Sequence, residues 1–297
     1  MFLALLLAAS VTACGTDSSS SGGSSGSGEG FSLRLTDAVF QDAARVDITF
    51  REVRLRKASG GWITIPTGKL SATVVNVAEL QGTKTAELLT NVDVPPGEYT
   101  ELRLIVDDAS FSNTIELTAG GVHELMIPSG STSGLKVKGT FNVSATIPTV
   151  VIVDLDLNQS IKMAGPNYIL SPVLRLINGN NFGHARGMVE ASLLTLSSCS
   201  DGLADTFNAV YVFAGHGVTP DDINQSDDTD VDPVTTSKIS WDATGSDFKY
   251  EAAFLPAGKY TIAFTCNADQ DNLDGDDDLK FFGTQNITIK VNDTVFL

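Results

Sequence analysis

Basic side chains are scarce: 19 Lys and Arg stand against 36 Asp and Glu in 297 residues, for a formal net charge of −17. A surface with that field repels phosphate backbones and anionic headgroups and attracts cations, which argues against nucleic acid as a partner. Histidine is nearly absent, and His123, His184 and His216 show no metal-ligand spacing; each is expected in a turn or at the surface. The apolar run at the N-terminus covers about 13 residues, too short for a membrane span, which needs about 20. Aromatic residues make up only 7% of the chain and charged residues 19%, whereas 42% are hydrophobic. Uninterrupted stretches of helix formers are few, and the prominence of Val, Ile, Thr and Gly suits sheet.

The N-terminal run, Met1 to Ser10, is followed by Val11-Thr12-Ala13-Cys14 and then by a Gly/Ser tract to Gly30. A short apolar segment ending in small residues has the form of a cleavable export signal. Val-Thr-Ala-Cys resembles the lipobox cut by bacterial lipoprotein signal peptidases, which implies residues 1–13 as signal peptide and Cys14 as a lipidated N-terminus. No Lys or Arg precedes the run, a departure from the usual basic n-region that fits a start a few residues upstream. Residues 14–30 are then a flexible tether with an r.m.s. reach of roughly 20–25 Å. Gly15 after the cysteine, where the sorting rule of enteric bacteria reads Asp as inner-membrane retention, implies the outer membrane. An ordinary signal peptide and a buried strand ending in cysteine are the competing readings.

Beyond the tether, about 267 residues suffice for two cores. The polar, turn-rich Asn178–Gly183 segment marks the expected boundary between a 31–178 domain and a 183–297 domain. Residues 183–297 hold 19 of the 36 acidic side chains but only 6 of the 19 basic ones. With Cys14 assigned to lipid, Cys199 and Cys266 remain as an even pair that an exporting compartment would oxidise.

Period-2 alternation dominates both parts. Phe31, Leu33 and Leu35 share one face; Val46, Ile48 and Phe50 repeat the pattern, and a phase slip before Val53 and Leu55 predicts a one-residue bulge. Ser59-Gly60-Gly61 predicts a hairpin into Trp62 to Ile65. Further strands are expected at 100–106, 115–127 with a turn at Gly120-Gly121, 134–143, 150–157, 169–177, 186–196, 208–213, 238–241, 248–254, 259–266 and 286–291. Residues 76–80 and 85–89 read as short helical turns. Many short strands with few helices predict an all-β protein of two β-sandwich domains.

Val94-Pro95-Pro96-Gly97-Glu98-Tyr99-Thr100 is echoed by Leu255-Pro256-Ala257-Gly258-Lys259-Tyr260-Thr261. In such a corner Pro and Gly turn the chain, while the Tyr packs its ring and returns its hydroxyl to the corner's backbone. The echo resembles the turn before a late strand in transthyretin-like and collagen-adhesin B-type sandwiches; convergent turn chemistry is the alternative. Phe31 to Ala38, Pro96 to Leu104, Pro128 to Lys136, Val153 to Leu157 and Tyr168 to Pro172, taken in order, resemble the bacterial lipoprotein family known as domain of unknown function 4382, over about residues 31–178. The resemblance implies a β-rich envelope domain and no activity.

Candidate chemistry concentrates in acidic loops. Asp269, Asp271, Asp274, Asp276 and Asp278 surround Gly275, an arrangement suited to a hard cation with six to eight oxygen ligands, and calcium is the natural candidate. The spacing departs from an EF-hand loop, and a solvated acidic loop is the competing reading. Asp221, Asp222, Asp227, Asp228, Asp230 and Asp232, between Pro220 and Pro233, read as a disordered or cation-decorated loop. Asp154 and Asp156, roughly 7 Å apart on one strand face by strand geometry, read as a polar sheet face, and Arg54 with Arg56 as a solvated basic stripe. Gly130 to Lys136 lacks the Walker spacing of a phosphate loop, and Gly22 to Gly26 meets G-x-S-x-G only inside the tether.

The expected function is that of a lipid-anchored envelope module, non-catalytic, binding the membrane through Cys14 and presenting its loops to an unknown envelope protein or glycan. It requires no cofactor, with calcium as the candidate ion. A calcium-dependent carbohydrate or protein binder and an envelope-polymer hydrolase are the competing classes.

Overall fold

The computed structural model describes residues 30–37, 43–194, 196, 197, 199, 208–224, 231–242, 247–271 and 275–297. Up to Asn178 the strands are β1 (Phe31–Thr36), β2 (Ala43–Lys57), β3 (Trp62–Pro66), β4 (Val74–Asn76), β5 (Ala86–Val92), β6 (Gly97–Val106), β7 (Thr114–Leu117), β8 (Val122–Met126), β9 (Leu135–Val143), β10 (Thr149–Asp156), β11 (Ile161–Ala164), β12 (Asn167–Leu170) and β13 (Val173–Asn178). A one-turn helix, α1 (Leu157–Ser160), follows β10. The chain is all-β, built as packed sheets.

The first core lies between a four-stranded sheet, in order β13-β10-β1-β5, and a nine-stranded sheet built around β2. The alternating residues Phe31, Leu33, Leu35, Val46, Ile48 and Phe50 are all buried in it. At the phase slip, the β2–β6 register shifts between Phe50 and Glu52, so Val53 and Leu55 return to the core. The bulge lets β2 serve two sets of partners: Asp47 to Thr49 pair with β4, and Glu52 to Arg56 with β3. The hairpin between β2 and β3 closes with Gly60 and Gly61 both at positive φ, +93° and +85°, a conformation that glycine adopts without steric cost.

Three local expectations are corrected. Residues 85–89 are not a helical turn: β5 begins at Ala86, because pairing with β1 and burial of Leu88 and Leu89 outweigh local propensity. The 169–177 segment breaks at Ser171-Pro172: Pro172 has no amide to donate, the Ser171 amide bonds to Ser160 O, and the chain crosses from one sheet to the other. The strand expected over 186–196 ends at Val189 and is followed by a helical turn, Ala191–Leu194; short β4 and β11 carry no alternation long enough to read from sequence.

From Phe182 onward the strands are β14 (Phe182–Val189), β15 (Ala209–Ala214), β16 (Thr235–Lys238), β17 (Ser240–Asp242), β18 (Asp247–Pro256), β19 (Gly258–Thr265), β20 (Phe282–Ile289) and β21 (Thr294–Phe296). They form two four-stranded sheets, β17-β18-β14-β21 and β16-β15-β19-β20. Ala185, Val189, Tyr250 and Ala252 of the first meet Val210, Val212, Ile262, Phe264, Ile287 and Ile289 of the second in another core. Cys199 and Cys266 are joined there as a disulfide. Between the two cores, Ile152 and Ile177 on the outer face of the β10–β13 pair pack on Phe254.

The echoed corners fold alike. Tyr99 Oη donates to Pro95 O and Tyr260 Oη to Pro256 O, each at 2.7 Å. Burial raises both phenols above their ordinary pKa.

Candidate functional site

The outer face of the β16-β15-β19-β20 sheet carries Tyr211 and Phe213, and both acidic stretches are pinned onto it by apolar anchors. Ile223, fully buried, follows Asp221 and Asp222; Leu279 and Phe281 follow the second stretch and pack on the same cluster. The Phe281 ring meets Tyr211 edge-on, with centroids 5.3 Å apart. These anchors bring carboxylates from distant parts of the chain together. Oxygens of Asp222, Asp271 and Asp277 lie within 4.8 Å of one another, and so do those of Asp221, Asp222 and Asp276.

Hydrogen bonds orient this group. Asp271 Oδ2 accepts from Tyr211 Oη at 2.5 Å, and its Oδ1 accepts from the Ile223 amide at 3.0 Å. Asp222 Oδ2 accepts from the Asp277 amide at 2.8 Å. Asp222 is 1% exposed, and its Oδ1 is buried without a hydrogen-bond partner among the described residues. Burial is the main force pushing the Asp271 carboxyl up to about 6; the Tyr211 and Ile223 bonds oppose it, and the charges of Asp222 and Asp277 add to it. Two full charges at such a separation repel by about 3 kcal/mol at an effective dielectric of 20.

Of the calcium candidates read from sequence, Asp271 and Asp276 enter these groups while Asp269 and Asp278 enter neither. Asp278 is ion-paired with Lys280 at 2.5 Å, with its side chain 89% exposed. Asp274 lies outside the described residues, as do Asp227, Asp228 and Asp230. The expectation of a disordered loop fails at Asp222, Ile223 and Asn224, which are buried. Sequence reading missed that Asp222 and Asp277 meet. The available signal was the pair of apolar anchors, Ile223 and Leu279 with Phe281, embedded in acidic surroundings.

A second carboxylate group is buried near the first core. Asp37, Asp154 and Asp156 come from the ends of β1 and β10, which run parallel. The polar sheet face read at Asp154 is a buried one: Asp154 is 5% exposed and bonded to Arg175 on β13 at 2.7 Å. Asp156 is buried too and caps α1 by accepting from the Gln159 amide. Packing of β18 across this face of the sheet accounts for the burial. Asp37 Oδ1 accepts from the Leu157 amide at 3.0 Å, whereas its Oδ2 has no partner among the described residues. Burial, then the charges of Asp156 and Asp154, hold the Asp37 carboxyl well above its usual range. Beside it lies a pocket of about 20 Å³ lined by Asp37, Asp154, Arg175, Thr235 and Glu251, which is room for one water.

A larger cleft of about 620 Å³ runs between Gln81-Gly82 and the β17-β18-β14-β21 sheet, with Arg186, Lys238 and Lys249 beside Met188, Tyr250 and Phe296. It gathers half of the basic side chains of residues 183–297. The histidines are engaged elsewhere: the His123 ring meets Tyr168 at a tilt, His184 Nδ1 accepts from the Phe254 amide, and His216 Nε2 lies 2.9 Å from Ile287 O. Arg54 pairs with Glu52, and Arg56 with Glu101 at 3.6 Å, on an open sheet face as expected. Gly130 is a packing residue, since a Cβ there would lie 2.4 Å from Val106 Cγ2. Cys14, the signal segment and the tether up to residue 29 lie outside the described residues.

Residues 30–172 match the family described as Domain of unknown function (DUF4382). The match covers just under half of the chain. The matched segment contains the whole Asp37, Asp154 and Asp156 group, while Arg175 and the cation-type cluster lie beyond it. No curated protein matches the chain. Among solved structures, the chain is similar to a leucine-rich repeat protein from Bacteroides thetaiotaomicron at 11% identity and a TM-score of 0.21, covering 89% of this chain and 25% of that one. It is also similar to GBS52, the minor pilin of Streptococcus agalactiae, at 10% identity and a TM-score of 0.19, covering 90% and 93%. A fimbrial protein from Bacteroides ovatus follows at 9% identity and a TM-score of 0.16, covering 91% and 48%. The chain thus spans a quarter of the length of the leucine-rich repeat protein. Scores at this level do not establish a common fold.

Proposed function

We propose that this chain is a lipid-anchored, non-catalytic module of the bacterial cell envelope, held at the outer membrane through Cys14. The observation that carries the reading is the Cys199–Cys266 disulfide. Such bonds persist in oxidising, exported compartments. Of three cysteines that leaves Cys14, which sits behind an apolar leader in the sequence context of a lipobox.

Acyl chains on Cys14 hold the protein, each buried methylene contributing about 0.8 kcal/mol. The Gly/Ser tract spans the headgroup region, and the disulfide-tied sheets present their loops and cleft to an envelope protein or glycan. Histidines engaged by backbone and ring contacts support a binding role over a hydrolytic one. The cleft, with basic groups beside apolar ones, is the surface proposed to take the partner.

Cell fractionation of the parent and of Cys14→Ala tests the anchor. The parent is expected in the membrane fraction and the variant in the soluble exported fraction. Equal membrane retention of both would refute anchoring through Cys14.

A further inference from the structure

We propose that Asp222, Asp271 and Asp277 form a binding site for one calcium-sized divalent cation, which ties the two acidic stretches to each other and to the sheet beneath. The inference is independent of the anchor at Cys14. It also differs from a contiguous loop site, because its central ligand, Asp222, comes from about 50 residues before the other two.

Geometry is the first support. Oxygens that share a calcium ion each lie 2.3–2.6 Å from it, so any two are at most about 5 Å apart. The three carboxylates meet that limit, with oxygens within 4.8 Å of one another. Three acidic side chains at such a distance are not by themselves a site. The second, independent support is Asp222: it is 1% exposed, its carboxylate is shared by both acidic groups, and among the described residues nothing donates a hydrogen bond to its Oδ1. A buried carboxylate oxygen without a donor is costly, and a cation supplies the missing partner.

The remaining contacts fix the ligands in place. Tyr211 and the Ile223 amide hold the two oxygens of Asp271, and the Asp277 amide holds Asp222 Oδ2. Each accepting oxygen keeps a lone pair for a metal, and such outer bonds orient metal-binding carboxylates. Asp221 and Asp276 stand beside Asp222 at the more exposed side, where they add charge and attract the ion. An all-carboxylate set without nitrogen or sulfur selects a hard cation, and ligands from three segments suit the variable geometry of calcium better than the strict octahedron of magnesium.

Calorimetric titration of the full-length chain, stripped with chelator and titrated with calcium chloride, tests this. One ion per chain is expected, with a rise of several degrees in Tm at about 100 times the Kd. Asp222→Asn and the half-buried Asp277→Asn should each weaken binding by about tenfold or more, while Asp278→Asn binds like the parent. Terbium emission excited through the Tyr211 ring reads the same site without reference to stability; it should appear with the parent and Asp278→Asn and fall with the other two. Absence of heat and of any Tm shift in the parent overturns the proposal. So does parent-like affinity in both Asp222→Asn and Asp277→Asn.

Discussion

Replacing Asp156 by Asn should make the protein more stable at alkaline pH and leave it nearly unchanged in acid. Asp156 ends β10, is 7% exposed and accepts the Gln159 amide through Oδ1 at 3.0 Å. Burial first, and then the charge of Asp154, push its carboxyl from 3.8 up to about 7, against the pull of the Gln159 and Asn158 amides and of Arg175. Below about pH 4 the group is neutral folded and unfolded, so the native state carries no penalty. As pH rises toward about 7 the unfolded chain ionises and the folded one resists, so stability is lost at about 1.36 kcal/mol per pH unit, up to about 4 kcal/mol in total.

Asn is neutral throughout and keeps the acceptor for Gln159. Any cost of placing its amide near Asn158 is the same at every pH. The readout is therefore the Tm difference between variant and parent, measured by scanning calorimetry from about pH 4 to about pH 8. It should grow in favour of the variant by up to about 4 kcal/mol, on the order of 10 °C for a chain of this size. A difference that stays constant across that range would show that Asp156 ionises alike in both states, and the argument from burial would fail.

Tyr99→Phe and Tyr260→Phe each remove one corner hydrogen bond and should cost about 1–2 kcal/mol in urea unfolding; no change in either would show that the corners are held by ring packing alone. Reduction of the disulfide opens a 67-residue loop and should destabilise by roughly 4 kcal/mol in the chain-entropy treatment, seen as a lower Tm in reductant. Gly130→Ala places a methyl against Val106 and Ile127; overpacking of about 1–3 kcal/mol is expected, and a parent-like Tm would contradict the tight contact.

Much of the fold was legible because one face of each major strand is buried. The alternation of Phe31, Leu33 and Leu35 located β1, and the skipped phase before Val53 located the bulge that turns β2. The Pro-x-Gly-x-Tyr echo indicated both corners and even the direction of the tyrosine hydroxyl bond. Strand β5 escaped because Leu88 and Leu89 are adjacent rather than alternating, and only the pairing with β1 decides their conformation. Asp154 and Asp156 were legible as one polar sheet face but not as buried, because a strand shows its period and not what covers its second face, which here is Phe254 and its neighbours. The carboxylate cluster was half visible: acidic density marked both stretches, but the meeting of Asp222 with Asp271 and Asp277 is a tertiary event. It is driven by Ile223 and Phe281 finding the same patch of sheet.

Mass spectrometry of the mature N-terminal peptide, taken from the membrane fraction, tests the central claim most directly. A peptide that begins at Cys14 and carries diacylglyceryl with a further N-linked acyl chain is the predicted result. A mature chain cleaved elsewhere, or one with an unmodified Cys14, would contradict it.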